Sequence, residues 1–164
     1  MGKKWLDIVY NEKNSIKLKQ HYKSWANDYD QDLIDWGYAY PSQLKKIMSQ
    51  DIKLKKSSKI LDAGCGTGLV AEVLGDMNFK NIVGLDYSLD MLKIAKDKKI
   101  YTRLIQESLN KKTSLRSNQF DVVLCTGVLT SGHVGAKAIN ELIRVTKNKG
   151  YLILSIAESI YEKL

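Results

Sequence analysis

The sequence predicts an α/β fold built on a doubly wound parallel sheet, and three observations carry that prediction. Short apolar runs alternate with stretches of helical periodicity: Ile60–Ala63, Ile82–Asp86, Tyr101–Ile105, Phe120–Cys125 and Tyr151–Ile156. Within these runs apolar residues follow one another, as in parallel strands covered on both faces. The first run passes directly into Gly64, Gly66 and Gly68, and a helix pattern opens at Leu69. Asp62 and Asp86 each stand where a strand ends. The connections are long enough for crossover helices, so the sheet is expected to be parallel. An order of 3-2-1-4-5 puts the switch point between the first and fourth strands. The glycine turn, Asp86 and the stretch from Cys125 to His133 then converge on one crevice.

The N-terminal segment, from Met1 to about Gln50, reads as helical and aromatic. Tyr22, Trp25, Ala26 and Tyr29 fall at three- and four-residue intervals, which places them on one helix face. Such a stripe either packs the helix on the domain or covers a ligand. Trp36-Gly-Tyr-Ala-Tyr-Pro41 breaks the pattern, and Pro41 suits the first turn of the next helix. Leu44, Ile47 and Met48 continue an apolar face, and residues 53–58 are a polar connection into the first strand.

A strand, a glycine turn and a helix in succession bring backbone N–H groups and a positive helix end close to a ligand. Leu69, Val70, Val73, Leu74 and Met77 mark the following helix, with Gly75 weakening its last turn. Asp86 follows the glycines by about the spacing at which an acid accepts hydrogen bonds from ribose hydroxyls. A carboxylate suits that task because it accepts two bonds at once from a vicinal diol. Ser88 caps the next helix, and Leu89, Met91, Leu92 and Ala95 form its stripe. Residues 111–118 read as a polar loop. Beyond the fourth strand, Val134, Ala138, Ile139, Leu142, Ile143 and Val145 predict a helix that Asn148-Lys-Gly150 ends, with Gly150 as a left-handed cap.

The length of 164 residues implies one domain, 1–164, with a helical N-terminal segment at 1–50 and an α/β core at 59–156. A hydrophobic share of 44% with 27% charged residues is ordinary for a soluble globular protein. No apolar run is long enough to span a membrane, and Met1-Gly-Lys-Lys-Trp-Leu6 fits neither a signal peptide nor a myristoylation site. The expected location is therefore cytoplasmic. Cys65 and Cys125 show neither metal-ligand spacing nor a disulfide framework, so both read as reduced thiols and no metal is expected. The net charge of +8 raises the question of an anionic partner. The lysines are scattered, however, without an arginine-rich or aromatic-interleaved run, so a solvated surface is expected rather than a nucleic-acid site.

Asp62-Ala-Gly-Cys-Gly-Thr-Gly68 resembles the first motif of the class I methyltransferases that use S-adenosylmethionine. The dinucleotide fingerprint differs, because its third glycine lies where this chain has Leu69. Asp86-Tyr-Ser-x-x-Met-Leu92, Phe120-Asp-Val-Val123 and Tyr22-x-x-Trp-Ala-x-x-Tyr-Asp30 resemble further patterns of that family. Thr126-Gly-x-x-Thr-x-Gly-His-Val134, with Trp25-Ala-x-x-Tyr29 and Gly68-Leu-Val-Ala-Glu72, is similar to the methyltransferases like Williams–Beuren syndrome region protein 27.

The resemblance runs from Tyr22 to Ile156 and implies a Rossmann-like fold and methyl transfer from S-adenosyl-L-methionine. It assigns Asp62 and the turn of Gly64, Cys65, Gly66 and Gly68 to the methionine end, and Asp86 to the ribose. Tyr87 and Met91 would flank the adenine. Gln106 and Glu107 occupy the place that meets the adenine edge, although the family's usual aspartate is missing there. Tyr29 would help close the pocket, and Cys125 and Thr126 lie at the strand end beside the cofactor. His133 is the candidate catalytic base, since an imidazole titrates near neutrality; the alternative is a helix cap or a loop-lining side chain.

Cys125-Thr-Gly-Val128 is unlike the Asn/Asp-Pro-Pro-Tyr/Phe motif of amino-directed DNA enzymes, and neither cysteine follows a proline as in cytosine C5 enzymes. The leading expected acceptor is therefore a small molecule that presents O or N, with protein or RNA behind it. Residues 157–164 are too few for the sixth and seventh strands usual in the family. The exposed fifth-strand edge is then a candidate homodimer surface. Two rival readings are a non-catalytic module that binds S-adenosylmethionine and an NAD(P)-binding oxidoreductase.

Overall fold

In the computed structural model, residues 5, 8–9, 12, 14–50, 52–130, 137–157 and 161 are described. Strands β1 (Ile60–Ala63), β2 (Ile82–Asp86), β3 (Arg103–Gln106), β4 (Phe120–Leu129) and β5 (Thr146–Ile156) form one sheet. Its order is β3-β2-β1-β4-β5, as the sequence predicts, and every neighbouring pair is parallel. Helices α1 (Ser15–Trp25), α2 (Tyr29–Asp35) and α3 (Tyr40–Gln50) precede it. Helices α4 (Leu69–Asp76), α5 (Leu89–Asp97) and α6 (Lys137–Val145) lie between strands. No helix among the described residues is long and apolar enough to cross a membrane.

The two-residue period of the strands divides the core between the two sheet faces. Leu61, Ala63, Val83, Leu85 and Val123 pack with Ala138, Leu142 and Val145 of α6. Ile60, Ile82, Val122 and Leu124 pack with Leu44 and Met48 of α3 and with Val70, Ala71 and Leu74 of α4. The covered faces explain the unbroken apolar runs. They also leave the carboxyl ends of the strands as the rim where polar groups collect.

Local chemistry sets the helix starts. Asn14 accepts hydrogen bonds from the backbone N–H groups of Ile16 and Lys17 at 2.9 and 3.1 Å, and Ser88 accepts from Met91 N–H at 3.4 Å. Each satisfies donors that the first helical turn leaves unpaired. The expected continuous face from Tyr22 to Tyr29 is instead split between α1 and α2 by a turn at residues 26–28. Trp25 is buried in that corner. Its Nε1–H donates to Asp32 at 2.8 Å, and its ring lies 4.5 Å from that of Tyr29.

Other boundaries differ for identifiable reasons. The third strand begins at Arg103 rather than Tyr101, because Tyr101 turns inward to donate its hydroxyl to Asp62 at 2.7 Å. The fourth extends past Cys125 to Leu129, with a register shift around Gly127, whose φ is +71°. Helix α6 ends at Val145, before the expected glycine, and Thr146 donates its hydroxyl to Leu142 C=O at 2.7 Å. The left-handed residue is Lys149, at φ +63°, not Gly150. Gly150 answers a different constraint: a Cβ there would lie 2.9 Å from the carbonyl oxygens of Asp121 and Lys147.

Phe120 is fully buried and joins β4 to the face covered by α6. Phe120→Ala is expected to destabilise the domain by about 3–5 kcal/mol through lost burial and the cavity left behind. Urea denaturation reads this as a lower midpoint.

Candidate functional site

A cleft opens at the carboxyl ends of β1, β2 and β4 and holds about 1040 Å³ of empty space, open solvent included. Asp62, the turn Gly64–Thr67 and the segment Asp86–Ser88 line it from the first two strands. Residues 107–110 and 126–128 contribute from the ends of β3 and β4. Leu18, Tyr22, Tyr29, Leu33 and Tyr38 add an N-terminal wall. That wall belongs to an aromatic cluster in which Tyr22 meets Tyr87 edge-on at 6.4 Å.

The glycine turn is built by its backbone. Gly64 and Cys65 both donate their N–H to Leu85 C=O, at 2.7 and 3.0 Å, which draws the turn against the end of β2. Gly64 has φ +77°, and a Cβ there would lie 2.3 Å from Val128 Cγ2. Glycine is therefore required for both conformation and space. At Gly66, with φ +53°, an added Cβ would meet no described atom within 4 Å. The main chain is thus bare towards the cleft at that point. Thr67, nearly fully buried, donates its hydroxyl to Asp30.

Asp86 holds the rim together. One carboxylate oxygen accepts Gly66 N–H at 2.9 Å and the other accepts Ser88 N–H at 2.8 Å. Burial raises its pKa, and these backbone donors oppose the rise. The backbone N–H of Tyr87 also opposes the rise, and a carboxylate's acceptor capacity exceeds these three donors. Asp62 is 1% exposed, and burial pushes its pKa up to about 7, opposed by the Tyr101 hydroxyl and reinforced by the Asp86 charge. Tyr87 is raised by burial and then by Asp86, and among the described residues its buried hydroxyl has no hydrogen-bond partner.

The segment after β3 is fixed from outside the cleft. Glu141 accepts Thr113 N–H at 2.8 Å and the Thr113 hydroxyl at 2.6 Å, and Arg144 Nη2 meets it at 2.6 Å. Burial opposes ionisation of Glu141, but Arg144 and Thr113 prevail and hold its pKa at about 2. Glu107 accepts Ser114 N–H at 2.8 Å, closing the loop that presents Ser108, Leu109 and Asn110.

The structure brings Tyr29, Asp62, Gly64, Cys65, Gly66, Asp86, Tyr87, Met91, Glu107 and Thr126 of the expected set to the cleft. Three expected residues are not on its lining. Gly68 caps α4 at φ +94° and packs against Tyr101; Cys125 is fully buried in the core; Gln106 points outward and donates to Tyr87 C=O at 3.3 Å. His133 lies outside the described residues. The sequence reading missed Leu18, Leu33, Tyr38, Thr67, Leu109 and Asn110 as wall residues. Apolar wall residues share the periodicity of core residues, so no pattern marks them. Thr67 was inside the turn motif and is the one that spacing had exposed.

Fold and rim define a doubly wound domain with an acid-lined cleft at the carboxyl ends of its strands. A family model described as a methyltransferase domain matches residues 61–154, more than half of the chain. Human Methyltransferase-like protein 27 is 38% identical over 136 residues, covering 82% of this chain and 55% of that protein. The mitochondrial ubiquinone biosynthesis O-methyltransferase of Saccharomyces cerevisiae is 24% identical, covering 92% of this chain and 51% of that protein. Among solved structures, a Methanococcus maripaludis protein proposed to be an S-adenosylmethionine-dependent methyltransferase superposes with a TM-score of 0.68 at 20% identity. That match covers 86% of this chain and 69% of the other. The chain belongs to the class I methyltransferase-domain family, whose methyl donor is S-adenosylmethionine. It spans about half the length of the curated relatives it matches.

The raised pKa of Asp62 has a direct consequence for stability. Between its ordinary value of 3.8 and about 7, the folded chain holds a proton that the unfolded chain releases. Stability contributed by this group is therefore present at low pH and falls as pH rises through that window. In Asp62→Asn the slope of unfolding free energy against pH between 5 and 8 becomes shallower, with the remainder owed partly to Asp86. Denaturant titrations across that range check this, and equal slopes would contradict it.

Proposed function

We propose that this chain binds S-adenosylmethionine in the cleft and transfers its methyl group to a small-molecule O or N acceptor. The observation that carries the reading is Asp86, a buried carboxylate on the cleft whose oxygens are oriented by Gly66 and Ser88. That arrangement suits the vicinal hydroxyls of a ribose. The residues present fit the rest of the cofactor. Gly66 offers bare backbone, and the Tyr87 hydroxyl, without a partner among the described residues, offers a further donor and acceptor.

Charge supports the same reading. Asp62, Asp86 and Glu107 line the cleft, and no lysine, arginine or histidine is on its lining among the described residues. S-adenosylmethionine carries a sulfonium and an ammonium against one carboxylate, so its net charge is opposite to that of the walls. When bound, it supplies an electrophilic methyl that an acceptor lone pair displaces in line. The chain's own part is to orient the acceptor and to exclude water. Leu18, Tyr22, Leu33 and Tyr38 suit an apolar-bodied small acceptor, in keeping with the quinone-pathway name of the yeast relative. His133 is the proposed proton acceptor.

Calorimetric titration with S-adenosylmethionine, S-adenosylhomocysteine and NAD tests the cofactor assignment. Selective binding of the first two is expected. Asp86→Ala weakens both by roughly 10–100-fold, the scale of lost hydrogen bonds to a charged group. Asp86→Asn, which keeps the shape of the side chain, serves where the alanine variant unfolds. Tight NAD binding would overturn the reading in favour of an oxidoreductase. Binding without transfer across an acceptor panel would make the chain a binding module.

A further inference from the structure

The carboxylate of Asp30 links the N-terminal wall to the glycine turn. Asp30 stands in the first turn of α2, one residue after Tyr29. Its Oδ1 accepts the hydroxyl of Thr67, and its Oδ2 accepts Lys98 Nζ at 2.6 Å. Lys98, the C-cap residue of α5, also meets Glu72 of α4 at 3.2 Å. The wall, the cofactor turn and the helices after β1 and β2 therefore meet at Asp30.

The placement is favourable at each end. An acid at the start of α2 and a cation at the end of α5 both complement their helix dipoles. Thr67 is 1% exposed and the Lys98 and Asp30 side chains 15% and 30%, so the contact is partly shielded from solvent. The wall is also held by aromatic and aliphatic packing, which is non-directional, and internally by the Trp25–Asp32 hydrogen bond. Asp30 adds a bond of fixed geometry between that packing and the turn. Asp30 itself is not on the cleft lining, whereas its neighbour Tyr29 is.

We infer that Asp30 is a positioning residue for cofactor retention, holding the N-terminal wall over the glycine turn through Thr67 and Lys98. The inference rests on the proposed binding of S-adenosylmethionine in this cleft. With the wall fastened over the turn, loss of the contact is expected to ease ligand exit. Removing the contact therefore acts on dissociation more than on association.

Two measurements test this on the full chain. Stopped-flow kinetics with S-adenosylhomocysteine gives the rate constants, and hydrogen exchange of the ligand-free protein reads the wall directly. Asp30→Ala and Thr67→Val are expected to raise the dissociation rate about 10-fold while association changes less than about twofold. Thr67→Ser, which keeps the hydroxyl, is expected to behave as the parent chain. Exchange in residues 15–35 rises in Asp30→Ala while amides of β1, β2 and β4 stay protected. The inference is overturned if both folded variants release ligand at the parent rate, if Thr67→Ser fails as Thr67→Val does, or if exchange rises uniformly through the sheet. Should the parent chain bind no S-adenosylhomocysteine, the cofactor reading falls and retention with it. The exchange comparison then still decides whether Asp30 fastens the wall.

Discussion

The carboxylate of Asp86 is the constraint on which the rim depends. It ends β2, takes the amide of Gly66 from the preceding turn, and takes the amide of Ser88 from the start of α5. Only an acceptor with two oxygens, placed at the end of a central strand, reaches both. Burying an acid is costly unless such donors compensate. The compensation here also does structural work: it fixes the turn, the cap of α5 and the position of Tyr87 together. Leu85 C=O, one residue earlier, accepts Gly64 and Cys65, so the end of β2 shapes the whole glycine turn.

A second anchor acts on the opposite part of the rim. Glu141 on α6 is held ionised by Arg144 and Thr113, and Arg144 also reaches Leu115 C=O at 2.8 Å and Ser117 at 3.1 Å. The loop after β3 has no secondary structure to define it between residues 107 and 119. This ion pair gives it a fixed attachment instead. Ser108, Leu109 and Asn110 can then present a defined wall even though they belong to a loop.

The parts legible in the sequence are those where backbone chemistry restricts the residue. Gly64 and Gly66 occupy positive φ, Asp62 and Asp86 end parallel strands, and Ser88 caps a helix. Each leaves a residue type that few others replace, so the turn, the strand order and the acids were readable. Contacts made by side chains across the fold leave no such trace. Asp30 and Thr67 are 37 residues apart, Tyr101 and Asp62 39, and Thr113 and Glu141 28. Nothing periodic links them, and each residue type is common on surfaces. Gly150 shows a related ambiguity. Glycine marks either left-handed backbone or close approach, and the sequence does not distinguish them. Lys149 takes the left-handed conformation and Gly150 the close approach.

Charge separates the cleft from the rest of the chain. The whole sequence is strongly basic, at +8, yet the described cleft presents carboxylates and no cation. Two of those acids are almost fully buried, and the charge of Asp86 helps raise the pKa of Asp62. Removing such groups from water is unfavourable, and a polar network inside them is favourable only when its members are satisfied. Tyr101 and the amides at residues 66 and 88 satisfy part of that demand and leave the remainder towards the cleft. A cation in the cleft favours the ionised form of Asp62 and therefore displaces its proton. The raised Asp62 carboxyl weakens the empty fold at neutral pH, and a cation held beside it would offset that cost, so stability and charge in the cleft are linked through this side chain.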